Sequence, residues 1–150
     1  MVTTSINNLI VFLQKGNFMS QPKIGVFVDV QNIYYTTRDA FKRSFNYRQF
    51  WQYLSYEGDI TVANAYAIAS NNGSAKGDWD VGITIDIMEA ASELDVVVLL
   101  SGDGDFELLM SRIKEKYGVK TKVYGVETLT ANNLIRSVDE FVAIPDHLLV

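Results

Sequence analysis

Two unbroken apolar runs, Ile24-Gly25-Val26-Phe27-Val28 and Val96-Val97-Val98-Leu99-Leu100, constrain the fold of this chain more than anything else in it. A strand with one face in water alternates apolar and polar residues, whereas a strand covered on both faces does not. Both runs therefore predict central strands of a sheet lying between two other layers. Helical spacing fills residues 32–57 in two pieces, the second from Tyr47 to Glu57 and closed by Gly58. Residues 60–69 have β character, and Asn71-Asn72-Gly73-Ser74 reads as a loop. A helix is expected to open at Asp78 or Trp79 and reach about Glu93, and another to run from about Phe106 to Tyr117, stopped by Gly118. Val119–Tyr124 reads as a strand, Ala131–Val138 as a short helix and Phe141–Ile144 as an edge strand before Pro145.

Strand and helix in alternation predict an α/β fold: three layers, with helices on both faces of a mostly parallel five-stranded sheet. Right-handed crossovers favour the strand order 2-1-3-4-5. The first and third strands are then neighbours, and the crevice between their C-terminal ends is where ligands bind in such sheets. At 150 residues the chain suits one domain. Residues 20–150 are read as that domain and residues 1–19 as an N-terminal extension, with Ser5 placed to cap a short helix through Leu13.

Composition narrows the chemistry. No cysteine is present, which excludes disulfides, zinc–thiolate sites and iron–sulfur clusters and fits a reducing cytoplasm. The single histidine, His147, reads as an exposed tail residue, so a histidine-rich metal site and a serine or cysteine nucleophile with a histidine base are both excluded. No run of 18 apolar residues occurs, so no membrane span is expected. The net charge of −5 argues against a general nucleic-acid binder. That average hides two basic stretches. Arg38, Lys42, Arg43 and Arg48 stand against Asp39, and Arg112, Lys114, Lys116, Lys120 and Lys122 against Glu115.

Asp29 ends the first strand, and Ser101-Gly102-Asp103-Gly104-Asp105-Phe106 follows the third. The order 2-1-3 brings these two places together. Carboxylates ~4 Å apart at an effective dielectric of ~20 repel by about 4 kcal/mol per pair. A hard divalent cation with oxygen ligands, Mg²⁺ above all, removes that cost. Gly102 and Gly104 permit a tight turn, and Ser101 is placed either to orient a carboxylate or to touch a phosphate. Asn32 can bond Asp29, bond a substrate phosphate, or cap the following helix. Asp80 is the ligand candidate on its helix. Asp86, six residues on and ~120° around, cannot point into the same pocket and is a secondary candidate at its margin. Lys76, on the preceding loop, is a candidate phosphate contact, and Trp79 is the aromatic residue expected to meet substrate. The aromatic stretch from Tyr34 to Tyr56, interleaved with arginine and lysine, serves either core packing or base stacking, and a homodimer through these helices is compatible with it.

With Asp29-x-x-Asn32, Lys76-Gly77 leading to Asp80-Val81 and Asp86, and Ser101-Gly102-Asp103-Gly104-Asp105-Phe106, the chain resembles the NYN domains from about residue 23 to 144. Within the PIN-like nuclease superfamily it is most similar to the LabA-like group. The resemblance implies an α/β/α sandwich and a Mg²⁺- or Mn²⁺-dependent ribonuclease site. By it, Asp29, Asp80, Asp103 and Asp105 form the acidic, metal-binding and catalytic cluster, with Asn32 beside it. One departure stands out: two residues, Asp78-Trp79, separate Lys76-Gly77 from Asp80, where the family usually has one. The expected function is metal-dependent hydrolysis of RNA, and the alternative is a non-catalytic RNA-binding or regulatory module that keeps the acidic pocket. A phosphatase of the haloacid-dehalogenase type would need an acid where Gln31 stands.

Overall fold

The computed structural model describes residues 21–67 and 75–150, excluding the side chains of 75–78. Five strands, β1 (Lys23–Asp29), β2 (Asp59–Tyr66), β3 (Val96–Leu100), β4 (Lys120–Gly125) and β5 (Glu140–Ala143), alternate with α1 (Val30–Phe41), α2 (Tyr47–Ser55), α3 (Ala75–Ala90), α4 (Glu107–Tyr117) and α5 (Asn132–Ser137). The sheet has the expected order β2-β1-β3-β4-β5, with every pair parallel.

The two apolar runs divide their side chains between opposite faces, as a period of two demands. Ile24, Val26 and Val28 of β1 join Val98 and Leu100 of β3 in one core with Ile33 of α1 and Phe50 and Leu54 of α2. Phe27, Val97 and Leu99 face the other way, against Ile83 and Ile87 of α3, Met110 and Ile113 of α4 and Leu134 of α5. Gly25 leaves room on that second face for α3's exit, since a Cβ there would collide with a Leu94 methyl. The C-terminus closes the first face: Leu149 bridges to Phe45, and Leu148 and Leu149 are buried. His147 is exposed as expected, its ring 6.1 Å from that of Tyr53.

One helix differs from the sequence reading. α3 begins at Ala75 rather than at Asp78 or Trp79, so Gly77 lies inside it and Lys76 belongs to its first turn instead of to a loop. Packing of Ile83 and Ile87 onto the sheet carries the helix through residues with weak intrinsic propensity. Residues 1–20, with the expected extension, and 68–74, with the expected loop, lie outside the described part.

Asp139 fastens β4 to the segment entering β5. Its carboxylate accepts from the Thr121 N–H at 2.9 Å and hydroxyl at 3.2 Å, while its own N–H donates to that hydroxyl at 2.9 Å. Lys114 lies 3.2 Å away. The Thr121 backbone N–H, with smaller help from Lys114, holds the carboxyl below its ordinary pKa. A depressed carboxyl adds stability above its unfolded pKa, and that contribution disappears as pH falls through the folded value. Asp139→Asn keeps one acceptor and is expected to cost about 1 kcal/mol at neutral pH. In thermal melts that is a drop of roughly 2–4 °C. The gap between wild type and variant should close as the pH is taken below about 4.

Candidate metal centre

β1 and β3 run side by side with Val28 opposite Leu100, so the residues that follow, Asp29 and Ser101, leave the sheet together. Ser101 is fully buried. Its hydroxyl donates to Asp29 Oδ2 at 3.0 Å and accepts from the Asp103 N–H at 3.1 Å. One side chain thereby sets both the Asp29 carboxylate and the loop that carries Asp103. Of the two roles open to Ser101 from sequence, the geometry shows the orienting one. Asp29 also caps α1, accepting from the Asn32 N–H at 3.4 Å. The Asn32 carboxamide oxygen accepts from the Gly102 N–H at 2.8 Å, which ties the first turn of α1 to the loop after β3.

That loop is held from its far side as well. The Ala131 N–H donates to the Gly102 carbonyl at 3.0 Å, and Asn133 Nδ2 donates to the Gly104 carbonyl at 3.2 Å. A Cβ on Gly102 would stand 2.8 Å from the Leu129 carbonyl oxygen, so glycine is required by close backbone approach. Asp103 accepts from the Asp105 N–H at 2.9 Å, which starts the short turn leading into α4.

α3 supplies the third acid. Ile83 and Ile87, both fully buried, fix the rotation of the helix, and Asp80 lies one turn before Ile83. Carboxylate oxygens of Asp29, Asp80 and Asp103 all lie within 4.8 Å of one another. Asp105 is exposed and, among the described residues, outside this group. The turn that spends its N–H on Asp103 leaves its side chain in solvent. Asp86 is outside too: it accepts a hydrogen bond from the Tyr66 hydroxyl. Trp79 packs against the core beneath α3, its ring 6.3 Å from Tyr66, and its indole nitrogen is buried with no partner among the described residues. The Lys76 side chain lies outside the described part.

Two neighbours of the centre went unassigned in the sequence. Tyr66, the last residue of β2, is in register with Asp29, and burial followed by its bond to Asp86 raises its phenol pKa. The signal was available in the paired ends of β1 and β2, once strand order was set. Tyr47, at the start of α2, has its phenol pushed up to about 12 by partial burial and then by the negative charge of Asp29. It is therefore neutral and within the electrostatic reach of the centre.

The donor set fits a hard divalent cation. All three groups are carboxylates, and two oxygens across one ion at ~2.1 Å stand ~4.2 Å apart. Three oxygens within 4.8 Å of each other meet that with a small rotamer shift or one intervening water. No helix among the described residues is long and apolar enough to cross a membrane.

Comparisons with known proteins agree with the fold. A protein of unknown function from Vibrio parahaemolyticus RIMD 2210633 has a similar crystal structure, with a TM-score of 0.82 and 45% identity, over 88% of this chain and 98% of that one. "Low amplitude and bright protein LabA" of Synechococcus elongatus is 24% identical over 159 aligned positions, 93% of this chain and 85% of that protein. The family model described as "NYN domain" matches residues 23–73 and 68–145. The chain belongs to the NYN domain family.

Proposed function

We propose that the protein hydrolyses phosphodiester bonds of RNA at the Asp29–Asp80–Asp103 centre with Mg²⁺ or Mn²⁺ bound. The observation that carries this reading is the convergence of three oxygen donors from three separate elements to within 4.8 Å. A divalent cation held by these carboxylates supplies Lewis acidity toward a phosphate oxygen and lowers the pKa of water. The chain's own residues do the positioning. Ser101 aims Asp29 and pins the backbone of Asp103, and Asn32 keeps α1 against the loop. Asp105, exposed at the rim, acts through water rather than as a direct ligand. Lys76, in the first turn of α3, is the proposed phosphate contact, and the accessible part of the half-buried Trp79 ring is the proposed base contact.

The test is Mn²⁺-dependent cleavage of labelled single-stranded RNA by wild type, Asp29→Asn and Asp103→Asn. Turnover confined to the wild type supports the assignment. Equal rates in all three would point to a contaminating nuclease and end it. RNA binding that survives EDTA without turnover would mark a non-catalytic module instead.

A further inference from the structure

α1 leaves the metal centre and carries two aromatic rings into solvent. Its inner face is formed by Ile33 and Thr37, both fully buried. Its outer face presents Tyr34, 48% exposed, and Tyr35, 60% exposed. The two rings meet edge to face with centroids 5.2 Å apart, and the Arg38 guanidinium lies 5.6 Å from the centre of the Tyr34 ring. At 1.5 Å per residue, these tyrosines lie roughly 7–9 Å along the helix from Asp29. Asp29 caps this helix and Asn32 is bonded to Gly102, so the helix that bears the rings is fixed relative to the acids.

Charge says what covers this face. The chain as a whole carries −5, yet Arg38, Lys42, Arg43 and Arg48 crowd one stretch against Asp39. Arg43 is committed to Asp146 and to the Leu149 carbonyl. Arg38 is held over an aromatic ring, the arrangement that stacks a base while facing a phosphate. A second copy meeting this face across a two-fold axis would set its own Arg38 and Lys42 near these, like charge near like. A duplex hides the π faces that exposed rings would stack on. A single strand offers both anionic backbone and free bases.

We propose that Tyr34, Tyr35 and Arg38 form a base-stacking platform for the single-stranded nucleotides that flank the phosphate at the metal centre. The proposal rests on the reading of that centre as an RNA-cleaving site. Its test is fluorescence anisotropy of a short labelled oligouridine with the full chain in EDTA, where no cleavage intervenes. The double variant Tyr34→Ala/Tyr35→Ala should bind about tenfold or more weakly, while Tyr34→Phe/Tyr35→Phe keeps wild-type affinity. Arg38→Ala should bind more weakly and with a shallower salt dependence. As a check that needs no variant, wild type should lose a similar factor on an oligonucleotide lacking bases at successive positions.

Equal affinity for the alanine and phenylalanine pairs would overturn the platform, as would failure of wild type to bind the single strand. A sedimentation shift from dimer to monomer in the alanine pair, with RNA affinity unchanged, would also overturn it and assign the face to a second copy. Ring-dependent binding with no Mn²⁺-dependent turnover would leave the platform standing and remove the hydrolase reading. Turnover with ring-independent binding would do the reverse.

Discussion

Asp103→Asn is expected to lower Mn²⁺-dependent cleavage of single-stranded RNA by at least ~100-fold, the scale of losing one preorganised electrostatic group worth roughly 3–4 kcal/mol. The substitution is informative because so little else changes. The side-chain oxygen that accepts from the Asp105 N–H at 2.9 Å is kept by asparagine, so the turn into α4 is retained. The N–H that Asp103 gives to Ser101 belongs to the backbone and is untouched. What disappears is one negative charge and one hard donor from a group of three. Asp29→Asn should cost at least a similar factor: asparagine keeps one acceptor oxygen where Asp29 uses one for the Ser101 hydroxyl and the other for the Asn32 N–H, so one of those two bonds is lost along with the charge. Asp105→Asn serves as the internal comparison. That residue is exposed and outside the group, so its loss should cost less than ~10-fold, the effect of a solvent-screened charge that acts only through water. A loss at Asp105 as large as that at Asp103 would mean that the substrate-bound loop differs from the one described.

The difference between those two aspartates could not be seen in the sequence. Asp103 and Asp105 sit in one glycine-rich string, and both were expected in the cluster. Only the turn geometry, with one N–H folded back onto the other's carboxylate, decides which side chain faces inward. By contrast, the meeting of Asp29 with Asp103 was legible. Two continuous apolar strands had to be central, the order 2-1-3 had to make them neighbours, and both acids followed directly. The separation of Asp80 from Asp86 was legible too, because six residues on a helix cannot share a direction. Asp86's actual partner, Tyr66, depended on how far α3 and β2 run before they meet, which periodicity does not report. The start of α3 differs because Gly77 and Asp78 signal a break locally, yet the helix begins at Ala75 and runs through both. Ser101 had two open roles, and its complete burial selected one. In the aromatic stretch Phe50 is core while Tyr34 and Tyr35 are surface, and their one-letter pattern does not separate them.

Asp103→Asn should also reverse its effect on stability when the cation is removed or supplied. Two like charges 4.8 Å apart interact by about 3.5 kcal/mol at an effective dielectric of ~20. In the native centre part of that repulsion is offset by the Ser101 hydroxyl and by the backbone N–H groups that bond Asp29 and Asp103. A net gain of about 1–2 kcal/mol is therefore expected for the variant in EDTA, a rise of roughly 2–8 °C in its melting midpoint. With Mn²⁺ at a hundred times its dissociation constant, wild type should gain about 2.7 kcal/mol by mass action. The variant, with one donor fewer, binds the ion less tightly and gains less, so the order of the two midpoints inverts. Differential scanning fluorimetry across a Mn²⁺ titration reads this crossing without any substrate. If Asp103→Asn melts below wild type in EDTA and the two curves stay parallel as Mn²⁺ is added, the carboxylates serve the fold itself. A cluster whose charges strain the empty protein and steady the loaded one is what a cation site requires, and a merely structural set of acids cannot produce the crossing.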